Sequence, residues 1–512
     1  MSLICHFAEI IEQSRMEYEQ GKAGTFRTIE RLQGAGLQGT GSCGTLACAD
    51  NAGFMKYLLT ERELQGKVQQ IYIDPPFFSK ANYDAVAEIP VAQAAETGAP
   101  KLTEAECSRR IRHRAYEDVW ESGMESYLRM LCVRLLYMRD LLADEGTIWV
   151  HLDWHSVHYV KILLDEIFGD RNFVNEIIWQ YKSGGSSKRH FARKHDTILV
   201  YAKTSRYYLQ LPKEKSYNRG LKPYRFKGVE EFCDERGWYT MVNMKDVWTI
   251  DMVGRTSAER TGYATQKPEA LLLRILEAGS RPGDLVCDFF SGSGTLGAAA
   301  AKCGRNWICC DSGFPALVHA VKRFQRDGFA AEVVTDAKHW ERGLFAQENA
   351  KIEAEVQTEP TLFADQILVT VRLKDYRLKQ MPETLPSKSR QTTSQALEQD
   401  VFALLDHWCI DARGHDTNGP AAHGADARKD GDCENNPCAK DDVFCAQRAE
   451  YRQKGKLALQ MSWEAAPAQI LGRRIRVKTA DVFGNLAFCE ITVPRIAGRT
   501  ALSAADSTAA AD

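Results

Sequence analysis

The sequence predicts an α/β fold, and three observations carry that prediction. Short apolar runs stopped by Pro, Gly or Asp alternate with stretches whose apolar residues recur at i, i+3 and i+4, the pattern of buried strands separated by amphipathic helices. The strand-like runs end in residues that suit ligand loops, DPPFF at one and DFFSGSGT at another. The chain has 512 residues, 44% of them hydrophobic and 26% charged, enough for more than one globular core.

The elements follow in order. Residues 43–51, CGTLACADN, read as a strand ending in a polar turn before a helical AGFMKYLLTERELQ. From Val68, VQQIYI is a strand that stops at Asp74, because Pro75 and Pro76 bring no N–H to a ladder. Residues 124–146 have helical spacing and a closing glycine, 147–153 form a buried strand and 156–169 another helix. Two β-like runs, 176–182 and 196–203, flank SGGSSKRHFARKH. The alternation resumes with a helix at 267–279, a strand at 284–290, a helix at 294–304 and a strand at 306–311. Beyond about residue 345 the texture is polar (382–395) and then acidic and irregular (406–450), which marks a domain boundary. Residues 475–493 are two alternating strands around a Gly-Asn turn, so the last domain is expected to be β-rich, with ALSAADSTAAAD as a loose tail. The expected organisation is an N-terminal extension (1–42), a main domain (43–344) and a C-terminal accessory domain (345–512).

Charge and leader signals narrow the function classes. Lys and Arg number 66 against 68 Asp and Glu, so a net charge of −2 gives no global pull on a polyanion. The positive field is local: from Lys182 to Lys227 there are 13 Lys or Arg and two acids, Asp196 and Glu214, with five tyrosines interleaved. No window has the ~18 consecutive apolar residues of a membrane span, and the N-terminus lacks the succession of a secretion leader. A cytoplasmic protein with reduced cysteines is expected, with no membrane partner.

Three sites carry chemistry. Asp74-Pro75-Pro76-Phe77 presents a carboxylate, a rigid carbonyl and an aromatic face at the C-terminal end of a strand, where open α/β sheets place ligands. An amino group on a flat base needs two acceptors for its N–H bonds and a ring to stack on. Asp288-Phe289-Phe290-Ser291-Gly292-Ser293-Gly294-Thr295 follows a strand and opens a helix, with Asp311 at the next strand's tip, as a nucleoside-cofactor loop does. Gly292, Gly294 and Gly297 also satisfy G-x-G-x-x-G, which leaves a dinucleotide-binding oxidoreductase as the rival; Asp288 suits a cationic methionine moiety better than a pyrophosphate. At Thr265-Gln266-Lys267-Pro268-Glu269, a helix start and Lys267 can face an anion such as a carboxylate. His151, Asp153, His155 and His158 straddle a strand end and a helix start and read as caps and packing; the His and Cys of 407–445 have irregular spacing and no C-x2-C pair, so no metal is assigned.

In their order along the chain these motifs resemble the DNA amino-methyltransferases that use S-adenosyl-L-methionine, the permuted β group in particular. D-P-P-F comes first, then a basic region, then T-x-K-P, then D-x-F-x-G-S-G-T, over roughly residues 43–335. The resemblance extends to the modification subunits of type III restriction systems through ESYLRMLCVRLLYMRDLLADEG and DEIFG. It implies a Rossmann-like methyltransferase core in permuted order, a recognition insert at about 204–262 and transfer to N6 of adenine, the D-P-P form of the motif going mainly with adenine and S-P-P with N4 of cytosine. It implies that Asp74 and the Pro75 carbonyl hold the target amino group, that Pro76 stiffens the turn and that Phe77 stacks on a flipped-out base. Phe289, Gly292, Gly294 and Thr295 would shape the cofactor pocket, with Asp288 at the methionine end, Asp311 at the ribose, and Thr265, Lys267 and Pro268 at the carboxylate. Asp50 falls where the family often has Gly-Asp, with Ala49 in place of the glycine. Lys182, Lys188, Arg189, Arg193 and Lys194 are the candidate DNA contacts. Candidate partners are double-stranded DNA, a second copy of the chain and a restriction subunit, which would be a separate polypeptide because no helicase P-loop is present. A non-catalytic DNA-recognition subunit remains the other rival class, favoured by the basic segment.

Overall fold

Eleven strands pair into one mixed sheet in the computed structural model, which describes residues 3–33, 44–79, 82–90, 108–118, 120, 123–183, 188–254, 257–336, 349–363, 365–383, 385–415, 443–452, 456–495 and 499–500. Across the sheet the order is Val247–Thr249, Phe173–Gln180, His195–Ala202, Leu142–Leu152, Val68–Ile73, Leu285–Asp288, Asn306–Asp311, Gly44–Cys48, Ala331–Asp336, Phe26–Leu32 and Phe444–Ala446. The six strands from Leu142–Leu152 to Ala331–Asp336 run parallel. Helices cover both faces, which is why Val68–Ile73 is buried at every residue instead of alternating. Val68–Ile73 and Leu285–Asp288 are neighbours at the centre although far apart in sequence, and the chain leaves them toward opposite edges of the sheet. That topological switch places a crevice at their C-terminal ends, and it gives the permuted Rossmann-like order.

Several expected boundaries move for tertiary reasons. The helix expected over 124–146 ends at Leu141, and Leu142 already pairs with Val68 across a bulge. The 382–395 stretch, read as polar texture, contributes to a helix, Ser387–Gln399, that buries only Thr393 and Ala396. The start of the irregular 406–450 segment is a strand, Leu405–His415; residues 416–442 lie outside the described residues, as does the tail from 501. The N-terminal segment is built into the core. Helix Phe7–Gln20 packs on helix Gly123–Leu141, and Phe26–Leu32 pairs with Ala331–Asp336.

The C-terminal part is β-rich: two four-stranded sheets enclose a core that includes Val356, Val371, Trp408, Ile475 and Val477. It is joined to the main sheet by the pairing of Phe444–Ala446 with Phe26–Leu32 and by a buried ion pair between Glu30 and Lys478. The hairpin Asn82–Pro90/Ser108–Glu117 leaves the D-P-P-F turn and buries Ile89 and Ile111 in this second core. Residues 204–262 contain a small antiparallel sheet of Lys213–Tyr217, Gly237–Asn243 and Phe232–Asp234.

Candidate active site

Because the central strands are parallel, the residues at their C-terminal ends meet at one edge. Asp50 follows Gly44–Cys48, Asp74 follows Val68–Ile73, and Asp288 and Asp311 close their own strands. A cavity of about 330 Å³ opens there, lined by Asp50, Asn51, Tyr72, Asp74, Pro75, Pro76, Phe77, Thr265, Lys267, Asp288, Phe289, Gly292, Thr295 and Asp311, among others. Of the residues singled out for catalysis and cofactor binding, only Pro268 and Gly294 are outside this lining.

The glycine loop is held by its own carboxylates. Asp311 Oδ2 accepts from Gly292 N at 2.9 Å and its Oδ1 from Gly313 N at 2.8 Å, while Asp288 Oδ1 accepts from Phe290 N at 3.0 Å. Gly292 has φ 49°, and a Cβ there would meet the Tyr263 ring at 3.1 Å. Gly294 is also required for packing. Its φ is 72° and a Cβ would strike the Phe324 ring at 2.8 Å, so the missing side chain lets the loop pack on helix Phe314–Arg326. Asn51 Nδ2 donates to Phe289 O at 2.6 Å, and Arg134 binds Asn51 Oδ1 and Asp50 Oδ1, at 2.5 and 2.7 Å. Asp50 also caps helix Asn51–Thr60 through Gly53 N.

Lys267 is the central electrostatic feature. Its ammonium is paired with Asp74 Oδ2 and lies 5.4 Å from the centre of the Phe77 ring. At the helix start beside it, Glu269 N donates to Glu259 Oε2 at 3.0 Å. Asp288 and Asp311 are both pushed above the usual carboxylate range by burial, and the charges of Asp74 and Asp311 add to the effect at Asp288.

Two supports are not legible as motifs. Asp118 is buried and accepts from Phe78 N at 3.1 Å, Ser79 N at 2.6 Å and Ser79 Oγ at 2.7 Å, clamping the turn after Phe77. Phe78 has φ 63°, a conformation that costs a bulky residue energy and persists only when such contacts fix it. Behind the turn, His151 joins Tyr72 OH at 2.8 Å to Asp196 Oδ2 at 3.1 Å, and Tyr181 OH donates to Asp196 Oδ1 at 3.0 Å. Burial opposes the Asp196 charge, but these partners outweigh it and hold its carboxyl below the usual range. His155 pairs with Asp153 at 2.6 Å. No three His, Cys, Asp or Glu side chains gather as a metal site among the described residues.

The basic segment leads to the same edge. His195–Ala202 runs antiparallel to Leu142–Leu152, so its first residues lie at the same end of the sheet as Asp74. Lys182, Lys188, Arg189 and Arg193 are exposed, Arg193 lies 3.7 Å over the Trp154 ring, and Lys194 Nζ donates to Ser183 O and Oγ, both at 2.8 Å. Farther along, Arg206, Lys215 and Lys245 are neutralised by Asp144, Asp234 and Glu214.

An α/β core thus brings a D-P-P-F turn and a glycine loop to one crevice. In comparison with known proteins, residues 68–316 match the N6/N4 methyltransferase family model, described as DNA methylase. The type II methyltransferase M.EcaI of Enterobacter cloacae is 28% identical over 336 residues, covering 54% of this chain and 68% of that protein. The type II methyltransferase M2.LlaDCHI of Lactococcus lactis subsp. cremoris is 32% identical over 190 residues, covering 37% and 63%. A crystal structure of an M1.HpyAVI–SAM complex is 18% identical, with 55% of this chain and 98% of that one covered and a TM-score of 0.34. Residues 68–316 are thus similar to DNA methyltransferases of the N6/N4 type. The chain spans about two thirds of the length of these curated relatives.

The residues present fit S-adenosyl-L-methionine, the donor that the sequence resemblance implies, whose sulfonium and ammonium are cationic. Asp74, Asp288 and Asp311 line the cavity, and Lys267 is paired with Asp74. Asp74 Oδ1 and Ser291 Oγ are buried without a hydrogen-bond partner among the described residues, so the cavity wall retains unused polar capacity.

Proposed function

We propose that this protein methylates N6 of adenine at specific sites in double-stranded DNA, as the modification enzyme of a restriction–modification system. The observation that carries the proposal is the unpartnered Asp74 Oδ1 in the wall shared by the D-P-P-F turn and the glycine loop. When bound, S-adenosylmethionine supplies an electrophilic methyl group. Asp311 and the glycine loop would hold its nucleoside end, with Asp288, Thr265 and Lys267 toward its methionine end. The target amino nitrogen is a poor nucleophile because its lone pair is delocalised into the base. Asp74 and the Pro75 carbonyl, accepting its two N–H bonds, draw that nitrogen toward tetrahedral geometry, while Phe77 orients the ring by stacking. Positioning supplies most of the acceleration, and no covalent enzyme intermediate is required; Pro437-Cys438, the only Pro-Cys in the sequence, lies outside the described residues.

The choice of adenine rests on Asp74 and the D-P-P form of the motif, since cytosine also offers an amino group beside a ring nitrogen. Nucleoside mass spectrometry of DNA treated with the purified protein is expected to show N6-methyladenine. N4-methylcytosine in its place would overturn adenine and leave amino-methyl transfer standing. The relatives are named type II methyltransferases, which supports a role in modification; the type III likeness would add a separate restriction subunit.

DNA binding is assigned to the loop around Lys188. Replacing Lys188, Arg189, Arg193 and Lys194 together by Gln is expected to weaken DNA binding and to flatten the log–log salt slope by about 2 or more, because each lost phosphate contact releases about one counterion fewer. Filter binding between low and moderate salt measures this. An unchanged slope would make the loop a solvated face.

A further inference from the structure

The segment before His195, at the crevice end of the sheet, carries a side chain that folding does not explain. Phe191 is 98% exposed, the highest value for an aromatic ring among the described residues, and it stands between Lys188-Arg189-His190 and Arg193-Lys194. An apolar ring held in water adds nothing to the stability of the free protein and is open to a contact outside the chain. The surroundings select the kind of partner. Four cations flank the ring within three residues on either side, the environment of a polyanion and not of an apolar protein surface.

Its position narrows this further. Two residues after Phe191, Arg193 is stacked on Trp154, and Trp154 lies 3.6 Å from the His155 ring, which fastens the loop beside the end of strand Leu142–Leu152. Five residues after Phe191, Asp196 binds His151, whose ring is 5.9 Å from Phe77. A ring carried on so short a tether stays near the crevice, within reach of DNA lying over it.

We propose that Phe191 enters the duplex stack in the space left by the target base, replacing the stacking lost when that base turns toward Phe77. The role rests on the amino-methyltransferase reading above. Extruding a base costs unpairing and unstacking, least when the base is already unpaired, and inserted apolar side chains offset that cost in other DNA complexes.

The test compares two duplexes carrying the sequence that the enzyme methylates: one with the target normally paired, one with it opposite an abasic site. Phe191→Ala is expected to slow methyl transfer about 10- to 100-fold on the paired duplex and less than about threefold on the abasic one, since the second no longer requires the wedge. Phe191→Trp should retain most of the rate on both. With 2-aminopurine beside the target, the fluorescence rise on binding should shrink for Phe191→Ala alone. An equal loss on both duplexes, or none on the paired one, would overturn the role of Phe191 while wild-type turnover upholds the methyltransferase. Wild-type protein that methylates neither duplex would overturn both. Because the ring is exposed, folding is not at stake in these variants.

Discussion

Asp74→Ala is expected to lower methyl transfer by roughly 1,000-fold while changing S-adenosylmethionine affinity less than about tenfold, the size of loss seen when a positioned acceptor or donor is removed from a reacting centre. The carboxylate has two jobs in the structure, and the variant separates them. Oδ1 is available to the target amino group, and Oδ2 is paired with Lys267. Removing the side chain deprives the amino nitrogen of its anionic acceptor, yet it also releases the Lys267 ammonium, which stays beside Thr265 to meet an anionic group of the cofactor. Affinity is therefore buffered and turnover is not. Equilibrium binding and a labelled-methyl assay on one preparation check this, with Asp74→Asn expected to lie between wild type and Ala because its carbonyl oxygen still accepts. Near-normal turnover in Asp74→Ala would remove Asp74 from the chemistry.

The second large effect is on stability. Glu30 and Lys478 are both under 10% exposed, and they pair across the join between the main sheet and the C-terminal part. Lys478→Met would leave the Glu30 carboxylate buried with Gln325 Nε2, at 3.3 Å, as its remaining side-chain partner among the described residues. Stranding one member of a buried pair costs about 3–5 kcal/mol, whereas replacing both with apolar groups is often close to neutral. Urea denaturation at neutral pH should show that loss in Lys478→Met and recovery of most of it in Glu30→Leu/Lys478→Met. A single variant as stable as wild type would show that the join is held without this pair.

The parts of the site that local sequence specifies are legible in the chain itself. Asp74, Asp288 and Asp311 each end an apolar run, and a strand end is a local event, announced by Pro, Gly or a polar turn within a residue or two. That these three, with Asp50, then share an edge follows from parallel pairing. Contact across distance leaves no such local sign. Asp118 clamps Ser79 from a hairpin's length away, in a stretch, Glu117-Asp118-Val119-Trp120, that fits no motif. The pairing of Lys267 with Asp74 joins two motifs that look independent in the sequence. Residues 142–146 follow a strong helical pattern, and only the partner strand at Val68 shows why the chain leaves the helix at Leu141. The N-terminal segment reads as an appendage because Phe26–Leu32 alternates weakly, and its partner, Ala331–Asp336, lies at the far end of the domain.

That last pairing has a consequence for the order in which the molecule is made. Strand Gly44–Cys48 is flanked by Asn306–Asp311 and Ala331–Asp336, and Phe26–Leu32 by Ala331–Asp336 and Phe444–Ala446. Synthesis runs from the N-terminus, so these two early strands leave the ribosome with every partner still untranslated, and their ladder groups stay open until nearly the whole domain has followed. Long-range pairing of this kind is slow, because loop closure must precede the contacts that reward it. The permutation that brings the D-P-P-F turn ahead of the glycine loop thus leaves the nascent chain dependent on its last-made strands: a product cut short before Ala331 retains both motifs of the crevice and lacks the strand that seals Gly44–Cys48 and Phe26–Leu32 together.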